Sequence, residues 1–289
     1  MSAAGWRYPK TGAARALPID LEVMLRAYAH GIFPMSDARD DPATFWVEPK
    51  QRAVLPLEGL HISHSLAKAV RQDRFKVTAD QAFAEIIATC AADAEDRQET
   101  WINADIEQAF VALHEAGHAH SIECWHDGRI VGGLYGLSLG RVFFGESMFS
   151  RTADASKVAL VWLVARLRLG GFQLLDCQLI TDHLARLGVK EISQEEYLVR
   201  LGEALLPGDQ ALGDQSPGDQ VSTISSSTTS SASSSASSSI SSSAGGADWG
   251  ALEGFLGLAG LTVLPEGGDL SGASSSPGKL ILQLLTQMS

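Results

Sequence analysis

Two carboxylates and one amide stand where chemistry could gather: Glu146, Asp176 and Gln178. Glu146 falls within Gly140 to Lys157. There the strand-like run Arg141 to Phe144 is interrupted by Gly145 and followed at once by a carboxylate, two hydroxyls, a Met and a Phe. A glycine inside a strand pattern marks a bulge or a close backbone approach, so Gly145 is expected to re-aim Glu146 and leave it at a strand end. Asp176 and Gln178 close the run Phe172 to Gln178, which reads as a buried strand, and open α/β sheets hold their sites at the carboxyl ends of strands. Partial burial there would raise a carboxylate pKa toward the range useful for proton transfer. Acyl transfer and hydrolysis both fit this pattern, and spacing alone does not choose between them.

Other reactive residue types carry less. Cys177 sits between Asp176 and Gln178, but with no His at a diagnostic position it reads as a small buried thiol on a core strand. His114, His118 and His120 fall at a helix end, in a Gly-Ala turn and at a strand entry, so they need not converge on a metal, and none is expected. Trp46, between polar segments, reads first as a lid on a core.

The elements that must position these residues follow from pattern. Asp20 to His30 is a helix entered through Pro18 and closed by Gly31, with Leu21, Val23, Met24, Leu25, Ala27 and Tyr28 on one face. Arg52 to Pro56 is strand-like. His61 to Arg71 is a helix capped by Ser63, Gln81 to Ala91 is helical, and Ala104 to Ala116 is a helix capped by Asn103. His120 to Leu139 is a β-hairpin about Asp127-Gly128, and Gly132, Gly133 and Gly136 predict a bulged second strand with something packed closely against it. Asp154 is placed to cap the apolar helix Ala155 to Leu169. A short helix, Thr181 to Leu187, a strand near Gly188 to Ile192 and a helix capped by Ser193 complete one mixed sheet flanked by helices.

Composition bounds the rest. The 289 residues, 45% hydrophobic, suffice for one large or two modest domains. The longest apolar stretch, Val158 to Ala165, is too short to span a bilayer, and the N-terminus has no signal-like apolar core, so a cytoplasmic protein with no membrane partner is expected. Three scattered cysteines argue against a disulfide framework. Of the net charge of −12, seven acids and one lysine fall in residues 207–289, leaving −6 for the remainder. A nucleic-acid partner therefore needs a local basic patch, and the densest is Lys68, Arg71, Arg74 and Lys76. From Pro207 the chain turns Ser- and Gly-rich, and residues 207–247 are expected to form a disordered linker. Residues 248–289, with apolar runs from Trp249 and from Lys279, are expected to dock on the folded body.

Ten short motifs then carry a resemblance. Gly31-Ile-Phe-Pro-Met, Trp46-Val-Glu-Pro, Arg52-Ala-Val-Leu-Pro, His61-Ile-Ser, Trp101-Ile, His120-Ser-Ile-Glu, Val131-Gly-Gly-Leu-Tyr-Gly, Phe144-Gly-Glu-Ser-Met-Phe-Ser-Arg, Ala155-Ser-Lys-Val-Ala-Leu and Asp176-Cys-Gln closely resemble, in order, the leucyl/phenylalanyl-tRNA–protein transferases. The resemblance implies an α+β chain: a small N-terminal mixed domain over 1–60 and an acetyltransferase-like (GNAT) mixed-sheet domain over 61–206. It implies an enzyme that moves Leu or Phe, less often Met, from Leu-tRNA or Phe-tRNA to the α-amine of proteins with N-terminal Arg or Lys, marking them for degradation, with no cofactor. By this likeness Asp176 and Gln178 assist the attacking amine and Glu146 holds the donor's polar groups. Trp46 and Trp101 contact the terminal adenosine, and Leu134, Phe143, Leu160, Leu163 and Leu175 line the donor side-chain pocket. Such a pocket suits a side chain unbranched at Cβ better than Ile or Val. Relatives often carry Arg where this chain has His64, which thins the basic helix. An acetyl-CoA-dependent acyltransferase would share the fold, but its pyrophosphate-binding Arg/Gln-x-x-Gly-x-Gly/Ala turn is missing here. In a non-catalytic RNA-binding adaptor, Glu146 and Asp176 would be structural. Replacing Asp176 by Asn is expected to cost turnover rather than folding.

Overall fold

The computed structural model describes residues 6–7, 19–92, 100–206, 246–258 and 276–288. The linker expected over 207–247 lies outside these residues apart from its last two. A short strand β1 (Trp6–Arg7) precedes α1 (Leu21–Ala29), which starts one residue inside the expected Asp20–His30 because Asp20 is its cap, accepting from the Val23 N–H at 3.0 Å. The predicted apolar face is only partly used, since Met24 and Tyr28 are buried while Val23 is 45% exposed. Gly31, at φ 76°, turns the chain into β2 (Phe33–Met35), which pairs with β3 (Phe45–Glu48). These strands form a small N-terminal sheet ordered β1-β3-β2.

The larger sheet is seven-stranded and mixed. Its strands are β4 (Gln51–Leu55), β5 (Lys76–Ala79), β6 (Ala119–His126), β7 (Arg129–Leu139), β8 (Val142–Ser150), β9 (Leu174–Asp176) and β10 (Lys190–Ser193), ordered β10-β4-β9-β8-β7-β6-β5. Every pairing is antiparallel except β8 with β9. Strand β4 belongs to this sheet although it precedes residue 61. The helices α2 (His64–Arg71), α5 (Ala155–Leu169), α8 (Ala251–Leu258) and α9 (Pro277–Gln287) share one apolar core with the sheet. A second core holds α1, α3 (Phe83–Ala91), α4 (Ala104–Glu115) and α7 (Gln194–Leu205). A short α6 (Asp182–Arg186) joins β9 to β10. Covered on two sides, the sheet needs apolar residues on both faces of its central strands, as β7 and the start of β8 show.

The hairpin is where the sequence places it, with Asp127 and Gly128 at φ 50° and 69°, the pair of positive values a type I′ turn requires. The glycines of β7 make room for neighbours: a Cβ on Gly132 would lie 2.5 Å from that of Ala155, and one on Gly133 would lie 2.5 Å from Ile86 Cδ1. Across β7 and β8 Tyr135 faces Ser147 while Gly136 faces Gly145, so Glu146 is the extra residue of a bulge. Gly145 does re-aim Glu146, but not at a strand end, because β8 continues to Ser150. Asp154 does not cap α5 with its side chain. It sits at φ 70° and holds Lys157 Nζ at 2.9 Å, while Ser150 Oγ accepts from the Ser156 N–H at 3.1 Å.

The C-terminal helices are tied to this body by polar and apolar contacts. Ile281, Leu284 and Leu285 of α9 are buried, Arg168 Nη1 donates to the Leu285 carbonyl at 2.9 Å, and the Gly278 N–H donates to Asp73 at 2.7 Å. Among the described residues no helix is long and apolar enough to cross a membrane.

Candidate active site

The site lies where the sheet opens. Parallel pairing of β8 with β9 ends at Phe144 and Asp176, and β8 runs on beside β7 with no strand paired to its other edge among the described residues. A cavity of about 200 Å³ occupies the gap, walled by Leu55, Leu134, Leu160, Leu163, Leu175 and Val189, with Glu146, Cys177 and Gln178 among its lining groups. Four of the five expected pocket residues are therefore in its wall. Phe143 is not: it is fully buried and stacked on Trp249 at 5.4 Å, beside its register partner Leu175, which is in the wall.

Asp176 is wholly buried and its two oxygens are taken. Arg52 Nε donates to both, at 2.9 and 3.0 Å, and Nη2 donates to Oδ2 at 2.6 Å. Tyr197 donates its hydroxyl to Oδ2 at 2.7 Å, and the Gln178 N–H donates to Oδ1 at 2.8 Å. Arg52 is equally enclosed: Nη1 donates to the Gly31 carbonyl at 2.8 Å and its plane lies over the rings of Phe33 and Tyr197. A carboxylate whose oxygens are occupied in this way anchors its surroundings, and the geometry weighs against the expectation that Asp176→Asn spares folding. Removing one partner of a buried pair strands the other charge.

The anchor aims Gln178. This residue sits at φ 54°, a left-handed conformation costly for a side-chain-bearing residue, held by its N–H to Asp176 and by its carbonyl, which accepts from the Ala53 N–H at 3.0 Å. Its Nε2 donates to Glu146 Oε1 at 3.0 Å, and the Tyr28 hydroxyl donates to the same oxygen at 2.9 Å. Burial pushes the Glu146 carboxyl up to about 8 from an ordinary 4.5. The Tyr28 hydrogen bond opposes this, the Asp176 charge adds to it and Arg52 opposes it. Burial also pushes the Cys177 thiol well up, which disfavours the thiolate a nucleophile needs.

The remaining candidates lie apart. Trp46 pairs with Pro34 on β2, and the Trp101 carbonyl accepts from the Ser36 N–H at 3.0 Å, so both tryptophans flank one segment of the small sheet. Lys68, Arg71, Arg74 and Lys76 are exposed along the end of α2 and into β5, where the docked α9 adds an exposed Lys279. His114 Nδ1 contacts the Ala119 carbonyl and His120 Nδ1 contacts Asp80, each at 2.8 Å. Sequence reasoning missed Tyr28, Arg52 and Tyr197. Arg52 had a usable signal, a lone cation in an apolar strand that must find a buried acid. Tyr28 reads as a helix-face apolar residue and Tyr197 as one position of a helix, and nothing local marks their hydroxyls as donors.

Residues 54–202 match the family model described as leucyl/phenylalanyl-tRNA protein transferase, and residues 18–50 match that of its N-terminal domain. A leucyl/phenylalanyl-tRNA–protein transferase of Rhizorhabdus wittichii is 60% identical over 187 residues, covering 65% of this chain and 75% of its own length. One of Novosphingobium aromaticivorans is 49% identical over 268 residues, covering 93% of this chain and 96% of its own. One of Zymomonas mobilis is 55% identical over 208 residues, covering 71% and 78%.

Two outcomes follow from the buried network. Asp176→Asn leaves Arg52 unpaired and is expected to cost about 3 to 5 kcal/mol, lowering the thermal midpoint by roughly 10 °C. An unchanged midpoint would mean that Asp176 carries no such weight. For Glu146 the folded pKa is raised, so its neutral form favours the fold below about 4.5, and that contribution is lost as pH rises through about 8. Thermal scans should show the parent losing ground to Glu146→Gln between pH 5 and pH 8 on this linkage. A difference independent of pH would contradict it.

Proposed function

Because this chain belongs to the leucyl/phenylalanyl-tRNA protein transferase family and is an aminoacyltransferase, we propose that it moves Leu or Phe, less often Met, from aminoacyl-tRNA to the α-amine of proteins that begin with Arg or Lys. The new N-terminus then marks the acceptor for degradation in the cytoplasm. The observation that carries this reading is the apolar cavity closed at one side by Glu146 and Gln178. Leu134, Leu160, Leu163 and Leu175 suit an aliphatic or aromatic donor side chain and would seat its ester beside the two polar groups.

An aminoacyl ester is already activated, so the reaction needs alignment of a neutral amine on the carbonyl carbon and removal of one proton as the adenosine oxygen leaves. Gln178 donates its amide N–H to Glu146, which turns its carbonyl oxygen away as an acceptor for the attacking amine. Glu146, held up to about 8, lies close to the ordinary α-amine value of ~8, so it can exchange a proton with an amine at little cost. Asp176 assists by holding Gln178 in place. Trp46 and Trp101 are read as the platform for the terminal adenosine, and Lys68, Arg71, Arg74 and Lys76 as contacts to tRNA phosphates. The larger sheet is read as acetyltransferase-like, supported by the opening between its parallel strands β8 and β9, with the small domain over 1–60 apart from β4, which joins the catalytic domain over 61–206, a linker over 207–247 and an appended segment over 248–289.

One assay tests donor class and basic patch together. The chain is incubated with an Arg-starting peptide and Leu-tRNA, a minimal leucyl-adenosine, or acetyl-CoA. Leucine should label the peptide from both aminoacyl donors, and acetate should not. Neutralising Lys68, Arg71, Arg74 and Lys76 should weaken transfer from the tRNA and flatten its salt dependence, because each phosphate contact releases counterions. Transfer from the minimal donor should stay near the parent rate. Acetyl labelling would overturn the function, and equal loss with both aminoacyl donors would overturn the role of the patch.

A further inference from the structure

The segment beyond residue 246 lies outside both family-model matches, yet its Trp249 packs on Phe143, whose register partner Leu175 lines the donor cavity. Trp249 stacks on Phe143 at 5.4 Å and 9°, and on its other contact stacks on His120 at 4.1 Å. Its indole N–H donates to Asp80 Oδ2 at 2.8 Å, and its carbonyl accepts from Arg166 Nη1 at 2.6 Å. Arg166 also pairs through two nitrogens with Glu253 and lies over the Trp249 ring at 4.8 Å. The Asp248 N–H donates to the Gly170 carbonyl at 2.8 Å, so the residues around the indole are fixed to the C-terminal end of α5, at Arg166 and Gly170.

Phe143 has little freedom except toward this indole. It is fully buried, Phe172 meets it edge-on at 6.5 Å, and it presses so closely on Gly136 that a Cβ there would come within 2.5 Å of its ring. On the same face its register partner is Leu175, which forms part of the cavity wall, and Arg166 is carried by the helix that supplies Leu160 and Leu163. We propose that Trp249 is a positioning residue that sets the depth of the donor cavity from behind, through Phe143 and α5. This rests on the reading that the cavity takes the donor side chain. Protein interiors are close-packed, so a vacancy behind Phe143 lets the ring retreat and the wall relax with it. A deeper cavity favours the larger donor.

The test uses the full chain and measures kcat/KM for Phe-tRNA and Leu-tRNA with one Arg-starting peptide, alongside thermal midpoints. Trp249→Ala should raise the Phe-to-Leu ratio by roughly tenfold, the scale of discrimination that pocket shape supplies. Trp249→Phe, which keeps an aromatic stack, should stay near the parent ratio. If Trp249→Ala does not fold, Trp249→Leu, which keeps much of the apolar volume without the flat stack, decides by a shift in the same direction. A purely structural Trp249 would lower the midpoint and both rates together, and an unchanged ratio in these variants overturns the proposal. A parent that transfers neither donor overturns the underlying function and the proposal with it, whereas an active parent with invariant ratios overturns the proposal alone.

Discussion

The ion pair of Arg52 with Asp176 is the constraint on which the site depends. Both side chains are almost fully removed from solvent, at 1% and 0% exposure. Burying two charges costs several kcal/mol per ion even in relaxed proteins, and their attraction offsets that only when geometry is good and the remaining donors and acceptors are satisfied. Here they are: three contacts join the pair directly, and Tyr197, the Gln178 N–H and the Gly31 carbonyl take the remaining positions named for it. These partners come from the turn after α1, from β4, from the end of β9 and from α7. Four separate parts of the chain thus meet on one charge pair, and none can shift without breaking a charge-assisted hydrogen bond.

What the pair fixes is the aim of two groups that face the cavity. Gln178 is held in a left-handed conformation that a free chain would leave, and its amide is thereby delivered to Glu146. Glu146 is an unpaired bulge residue of β8, so its side chain is released from strand alternation and turned toward β9. Tyr28 completes the arrangement from α1, which makes the N-terminal helix part of the site. The burial that raises the Glu146 pKa and the charge that anchors Asp176 are separate effects in one small volume. One carboxyl is held by a guanidinium and a phenol, and the other has its pKa raised by burial to about 8.

Much of the frame was legible because local signals agree with it. The caps Asp20, Ser63, Asn103 and Ser193 each accept the backbone hydrogen bond their residue type suits, and Asp127-Gly128 turns as that dipeptide should. The bulge at Gly145 was readable, but its place within a strand was not, because β8 loses β9 on one edge there and runs on beside β7 on the other, a fact of topology rather than of pattern. Asp154 misled for a related reason: a left-handed backbone turns its side chain from the helix, and Lys157 takes it instead. Glu146, Asp176 and Gln178 were found as a group, yet the division of labour among them needed Arg52, Tyr28 and Tyr197, which lie far off in sequence. Phe143 was expected in the pocket wall, but it stacks on Trp249, which comes from beyond the serine-rich stretch. Contacts of that separation leave no periodic trace.

The central claim is that Asp176 holds the site together while Glu146 and Gln178 meet the reactants. The most direct measurement is a crystal structure with a non-hydrolysable aminoacyl-adenosine analogue bound. The account predicts the analogue's side chain in the cavity among Leu134, Leu160, Leu163 and Leu175, its polar groups within hydrogen-bonding reach of Glu146 and Gln178, and Asp176 still paired with Arg52 and Tyr197. A complex in which Asp176 has left Arg52 and bonds directly to the analogue would contradict it.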